Sequence, residues 1–319
     1  MKAWQFTGTH EPLVLNEVEP PVAGPGQVLL KIRAAGICHS DVGVLEDEGW
    51  LPLLAKIPIT MGHENAGEIV ALGEGVTSWS IGDRVGVCPT VAESDKGAPG
   101  YGFDGGFAEF MAVDAVALVP MPDNISYAQG AAATDAGMTS HNAVMTNGGV
   151  KQGDTVGIIG FGGLGQIGAR VAVLAGATVY VAEINEDVWD LAKANGVAGV
   201  AKNIKDFEGV TFDVIVDFAG FGTTTADAVD VIRRDGTVVL VGMGKLEATI
   251  NTRSLILNQC NLRGSVGGTK TNIEGVYKLM ASGELNPKLT EVGFADIADG
   301  IERLHQGKVE GRLVAVFGE

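Results

Sequence analysis

The stretch from Thr155 to Glu183, TVGIIGFGGLGQIGARVAVLAGATVYVAE, decides the fold. An apolar run (Thr155 to Gly160), a glycine-rich turn, a helical pattern and a second apolar run (Thr178 to Glu183) follow one another, which is a strand, a turn, a helix and a strand. Gly160, Gly162, Gly163 and Gly165, with Leu164 among them, form a GxGxxG turn at the point where the strand ends and the helix opens. Glycine there lets the backbone turn tightly and come close to a pyrophosphate, which sits on the unpaired N–H groups and positive end of the helix. Glu183 closes the second strand, where its carboxylate can accept hydrogen bonds from a ribose 2′-hydroxyl and repel a 2′-phosphate. The combination points to NAD rather than NADP. The same residues also allow a glycine turn that only packs tightly and a solvated acid at 183.

Two more apolar runs, Asp213 to Phe218 and Thr237 to Gly242, repeat the rhythm with helical pattern between them. Such strands suit a parallel sheet covered by helices on both faces, so the middle of the chain reads as an open, doubly wound α/β sheet. Up to about residue 120 the pattern is different. Short β-type runs (Gln27 to Ala35, Gly67 to Leu72, Arg84 to Cys88, Phe107 to Val113) alternate with Gly and Pro, the composition of a mostly β, barrel-like region. Ser126 to Val144 is small, Ala-rich and free of proline, suiting packed helices that lead into a new domain. The tail carries two helices, near Ile273 to Ser282 and Ile297 to Gln306, and a strand from Arg312 to Phe317. The longest stretch without regular pattern is the loop from Pro89 to Gly106.

Composition narrows the functional classes. The 319 residues suffice for two full hydrophobic cores. Three cysteines, Cys38, Cys88 and Cys260, are too few and too scattered for a disulfide framework or a four-cysteine zinc site. A net charge of −17 repels nucleic acid and anionic membrane surfaces. No run approaches the ~20 apolar residues of a membrane span, and no signal-peptide pattern opens the chain, so a soluble, cytoplasmic protein is expected.

Cys38-His39-Ser40-Asp41 and Met61-Gly62-His63-Glu64 place a thiol, an imidazole and carboxylates in short Gly-flanked turns. Asp135 is the only acid between Ile125 and Val150, and an unpaired carboxylate in so apolar a stretch would be costly. A catalytic zinc takes three such groups and keeps one position open. Taken singly, Cys38 also reads as a small core residue, His63 as a hydrogen-bonded core histidine and Asp135 as a helix cap.

With these residues in view, the sequence resembles the zinc-containing medium-chain dehydrogenase/reductase family, the alcohol dehydrogenase group. The likeness is carried by GICHSD (36–41), GHENAGEIVALGEGV (62–76), IGDRVGV (81–87), YGFDGGFAEF (101–110), GFGGLG (160–165) and EGRLV (310–314). It implies a GroES-like, mostly β catalytic domain at 1–130 and 267–319 around a Rossmann NAD-binding domain at 131–266. By the same resemblance Cys38, His63 and Asp135 are the catalytic zinc ligands, Glu64 an alternate ligand, Asp41 the carboxylate that orients the histidine, and Ser40 the hydroxyl that takes the substrate proton. His39 and Arg312 match contacts to the coenzyme phosphates, Thr139 a place beside the nicotinamide, and Phe218, Val241 and Val266 coenzyme-lining positions. Trp50, between the two metal motifs, is a candidate pocket wall beside Ser40.

Three departures from the family pattern matter. The lobe whose four cysteines bind a structural zinc should lie between Cys88 and Tyr101, and that segment holds no cysteine, so one catalytic zinc and no structural zinc is expected. Gly43 stands where a proton-relay histidine is usual. Asp135 stands where most members have a second cysteine, which makes the ligand set harder. The activity implied is reversible hydride transfer between a small alcohol and NAD, giving an aldehyde or ketone, in a homodimer or homotetramer. The competing readings are a zinc-free NAD(P)H quinone or enone reductase of the same superfamily and a non-catalytic NAD-binding protein.

Overall fold

The computed structural model describes residues 1–91, 94 and 96–318. Ala92, Glu93 and Asp95, within the Pro89 to Gly106 loop, lie outside the described residues, as does Glu319. The chain divides into two compact units, Met1–Met138 with Thr269–Glu319, and Thr139–Gly268. The boundary at 130/131 that the resemblance implies falls inside the Tyr127–Ala132 helix, and the two units divide at Met138/Thr139. The cause is packing, because the Tyr127–Ala132 helix and the Ala133–Gly137 turn after it lie on the β-sheet of the first unit. Asp135 therefore belongs to the same unit as Cys38 and His63.

In the first unit, among the described residues, a seven-stranded sheet is organised around Gln27–Ile37. Residues 27 to 34 alternate between half-buried and buried, as strands with one covered face do, and Ala35, Gly36 and Ile37 are all buried where the strand runs toward Cys38. Glu64–Leu72 pairs along one side of it. Phe110–Asp114 covers the first half of the other side and the C-terminal strand Arg312–Val316 the second half, all antiparallel. Register then builds the site: Gly36 lies opposite Glu64 on one flank and Val314 on the other, so Cys38, Glu64 and Arg312 gather at one end of three adjacent strands. Phe6, Leu30, Ile32, Ile37, Met61 and Phe107 fill the core beneath. Phe107 was expected to open a strand running to Val113. Its N–H instead donates to the Met61 carbonyl (2.8 Å), so Gly105 to Phe107 lies along residues 60–62 and the strand starts at Phe110.

The second unit is a six-stranded, all-parallel sheet among the described residues. Its order is Gly199–Ala201, Thr178–Ala182, Thr155–Ile159, Phe212–Asp217, Ile232–Leu240, Asn261–Gly264. The chain works outward from Thr155–Ile159 on one side and then returns to its other side, so the order reverses at that strand, where ligands bind in open α/β sheets. The Gly160 turn sits at its carboxyl end. Phe212, Ile215, Val238 and Ala228 form the core between sheet and helices. Among the described residues no helix is long and apolar enough to cross a membrane.

Candidate active site

Cys38 follows the central strand directly and forms the N-cap of the His39–Glu46 helix. Asp41, at the third helical position, reaches back so that its Oδ2 accepts the Cys38 backbone N–H at 2.8 Å. Its other oxygen, Oδ1, lies 3.4 Å from His63 Nδ1. Both groups are buried and neither atom has another hydrogen-bond partner. A carboxylate facing Nδ1 holds a proton on that nitrogen, so Nε2 is the nitrogen that can give up its proton to bind a metal. Nε2 points at the remaining groups: Asp135 Oδ2 at 3.6 Å, Glu64 Oε1 at 3.8 Å and Ser40 Oγ at 3.4 Å.

One ligand atom each from Cys38, His63, Glu64 and Asp135 lies within 4.8 Å of all the others. Asp135 reaches this group from a π-helical turn, Ala133–Gly137, a local widening that occurs often at functional sites. Glu64 is fully buried and paired with Arg312, whose Nε also donates to Glu64 Oε2 at 3.2 Å. A Cβ on residue 36 would run into the Glu64 carboxylate, so the strand carries glycine at that point. Arg312 Nη2 also comes within 3.5 Å of Asp135.

Charge in this pocket is unbalanced. Burial alone would push the Cys38 thiol up, but Arg312 and a hydrogen bond from His63 bring it below its ordinary value, toward the thiolate. Burial would likewise discharge His63, yet Asp41, Tyr101 and Asp135 raise it well above the usual imidazole range. A thiolate-prone cysteine and three acids around one arginine and one imidazole is a donor set for a dication. Sulfur, nitrogen and carboxylate oxygen together fit zinc.

Two aromatic side chains, Tyr101 and Trp50, pack outward from His63. Tyr101 lies 5.6 Å from the His63 ring and 6.4 Å from the Trp50 ring, centroid to centroid. The Trp50 indole covers Gly43 so closely that a Cβ there would sit 2.8 Å from it. The space a relay histidine would need at position 43 is thus filled by Trp50. The Tyr101 hydroxyl is buried and makes no well-formed hydrogen bond among the described residues, and Tyr101 and Ser40 both lie against the His63 ring.

In the second unit the glycine turn has the form its residues imply. Gly160 takes φ +86°, and a Cβ on Gly165 would collide with the Gly160 carbonyl, so both need glycine. The Gly165–Leu174 helix starts at the end of the turn. Glu183 Oε2 accepts from Phe161 N–H and Oε1 from Asn185 N–H, both at 2.7 Å, which fixes the acid beside the turn while each oxygen keeps a lone pair.

The remaining sequence candidates are spread more widely. His39 is exposed at the start of its helix and Thr139 is buried. Gly162 is exposed, while Gly163, Leu164, Phe218 and Val241 are partly buried around the carboxyl ends of the parallel strands; Val266, beyond the last strand, is 89% exposed. Arg312, read as a phosphate contact, is only 3% exposed and is engaged with Glu64, because strand register carries it into the cluster. Sequence reasoning passed over Tyr101, although it lies in the quoted YGFDGGFAEF segment. The signal was the DGG that follows it: Asp104 accepts from Thr60 N–H at 3.0 Å and Gly106 donates to the Gly62 carbonyl at 2.9 Å, tying this segment to the His63 turn.

The chain matches the family described as alcohol dehydrogenase GroES-like domain over residues 24–123 and zinc-binding dehydrogenase over residues 163–282. An alcohol dehydrogenase of Geobacillus stearothermophilus is 32% identical, the match covering 98% of this chain and 99% of that protein. One from Moraxella sp. (strain TAE123) is 31% identical over 98% of each. Among solved structures, acetophenone reductase from Geotrichum candidum in complex with NAD superposes with a TM-score of 0.90 at 27% identity, covering 99% of this chain and 96% of that one. The alcohol dehydrogenase of Aeropyrum pernix gives 0.89 at 29% identity, covering 99% and 100%.

Proposed function

Because the chain belongs to the zinc-binding dehydrogenase family with an alcohol dehydrogenase GroES-like domain, we propose that it is a zinc- and NAD-dependent enzyme interconverting a small alcohol and its aldehyde or ketone. The observation that carries the reading is the convergence of Cys38, His63, Glu64 and Asp135, with Asp41 behind the histidine. Cys38, His63 and Asp135 would hold the metal, with Glu64 as an alternate ligand. Zinc bound there supplies a Lewis acid that polarises an alcohol or carbonyl oxygen.

The other work falls to the chain's own groups. Asp41 fixes the two ligands together, through the Cys38 amide and His63 Nδ1. Arg312 sets an opposite charge against Glu64, a buried acid. The Ser40 hydroxyl, beside His63 Nε2, holds or releases the proton of the reacting oxygen. Gly160 to Gly165 offer backbone N–H groups to a pyrophosphate, and Glu183 offers free lone pairs to ribose hydroxyls. NAD held in this way supplies the hydride acceptor of the oxidation.

The proposal includes a single catalytic zinc, no structural one, and a homo-oligomer. Self-association is supported by the exposed edge strand Asn261–Gly264 together with exposed Ile256 and Leu257, an open parallel edge with apolar neighbours. The test is turnover of a panel of alcohols, aldehydes and ketones with NAD and NADH alongside zinc content. NAD-linked turnover that chelator abolishes and zinc restores is expected; quinone or enone reduction by protein free of zinc would overturn the reading.

A further inference from the structure

We propose that Tyr101 is the positioning residue of Ser40: its hydroxyl donates a hydrogen bond to Ser40 Oγ and so aims the serine O–H at the reacting oxygen. This rests on the reading of the site given above. A buried hydroxyl without a partner is unfavourable unless the working state of the site satisfies it. Ser40 and Tyr101 share His63 as a neighbour, the serine at Nε2 and the tyrosine ring 5.6 Å from the imidazole ring. Ser40 Oγ lies at a loose 3.4 Å from His63 Nε2, and that nitrogen would be a metal donor. Once Nε2 is engaged on the metal, Ser40 is left needing a donor and Tyr101 needing an acceptor.

The surroundings hold Tyr101 in place. Its ring is packed between His63 and Trp50, and its segment is tied to the His63 turn through Asp104 and Gly105 to Phe107. A tyrosine hydroxyl is a phenol near neutral pH and so can donate. An O–H that donates to Oγ polarises the serine hydroxyl and strengthens its own donation to a carbonyl oxygen. Trp50 has two linked consequences here: it fills the space over Gly43, which rules out a relay side chain, and it buttresses the tyrosine that orients the serine.

The test is a double-mutant cycle on the zinc-loaded enzyme, Tyr101→Phe and Ser40→Ala singly and together, with zinc content, NADH affinity and thermal unfolding measured on each. Loss of one neutral hydrogen bond predicts a fall in kcat of roughly three- to tenfold for Tyr101→Phe. KM, zinc content, NADH affinity and unfolding temperature should hold, and Tyr101→Phe should have no further effect once Ser40 is Ala. A crystal structure of the wild type with zinc and NADH should place Oη about 2.8 Å from Oγ. Wild-type kcat in Tyr101→Phe, or effects that multiply in the double variant, would overturn the assignment while leaving the proposed activity standing. A wild type without zinc-dependent turnover would overturn both.

Discussion

Asp41 faces His63 across 3.4 Å, Oδ1 to Nδ1, with both groups buried, while its second oxygen takes the backbone N–H of Cys38. One carboxylate therefore sets the tautomer of one candidate ligand and the placement of another. Groups of this kind that orient metal ligands are worth about 10–100-fold in metal affinity. Asp41→Asn should retain the fold and weaken zinc binding by about that factor, read by competition with a chelating dye. Unchanged affinity would mean that the contact is only a helix cap.

The Glu64 and Arg312 pair joins residues 248 positions apart and is almost wholly shielded from water. Removing one partner of such a pair leaves a buried charge uncompensated, at a cost of about 3–5 kcal/mol. Arg312→Met should destabilise the protein by that order in urea unfolding, and Glu64→Gln in the same chain should recover much of the loss. An Arg312 that acted only on a coenzyme phosphate would leave unfolding of the coenzyme-free protein unchanged.

Gly43→His will not restore a proton relay. The Trp50 indole lies where the new Cβ would go, and forcing atoms into filled space costs about 1–3 kcal/mol. The variant should unfold at lower temperature and gain no activity, and adding Trp50→Ala should return most of the lost stability. A Gly43→His protein as stable as wild type would mean that Trp50 moves aside freely.

Glu183 is held beside the glycine turn by the Phe161 and Asn185 amides. Glu183→Gln keeps the size of the side chain but removes its charge and turns one of the two accepting oxygens into a donor, and the lost charged hydrogen bonds to the ribose should weaken NADH binding about tenfold or more. Binding of NADPH should suffer less, so the preference narrows. Fluorescence titration with both coenzymes measures it; an unchanged ratio would remove Glu183 from coenzyme selection.

Much of this could be read from residues alone. The turn at Gly160 to Gly165 and the run of apolar strands are local patterns, as are Cys38 and His63 in their short motifs. What escaped reading depends on register between distant segments. Arg312 enters the cluster because Arg312–Val316 pairs with Gln27–Ile37, and nothing near position 312 announces it. Asp135 sits in the first unit because its helix packs on that sheet, although the composition changes a few residues earlier. Tyr101 was hidden in a loop with no periodicity, where only three-dimensional pairing with residues 60–62 gives the side chain its address.

In the proposed enzyme Asp135 completes a zinc site with Cys38 and His63. Zinc per chain, measured by elemental analysis on the wild type and on Asp135→Ala after the same dialysis, tests it most directly, with NADH affinity as the control for folding. One catalytic zinc per wild-type chain is expected, and in Asp135→Ala loss of most of the metal and of turnover with NADH binding intact. An Asp135→Ala protein that keeps wild-type zinc and wild-type turnover would contradict it.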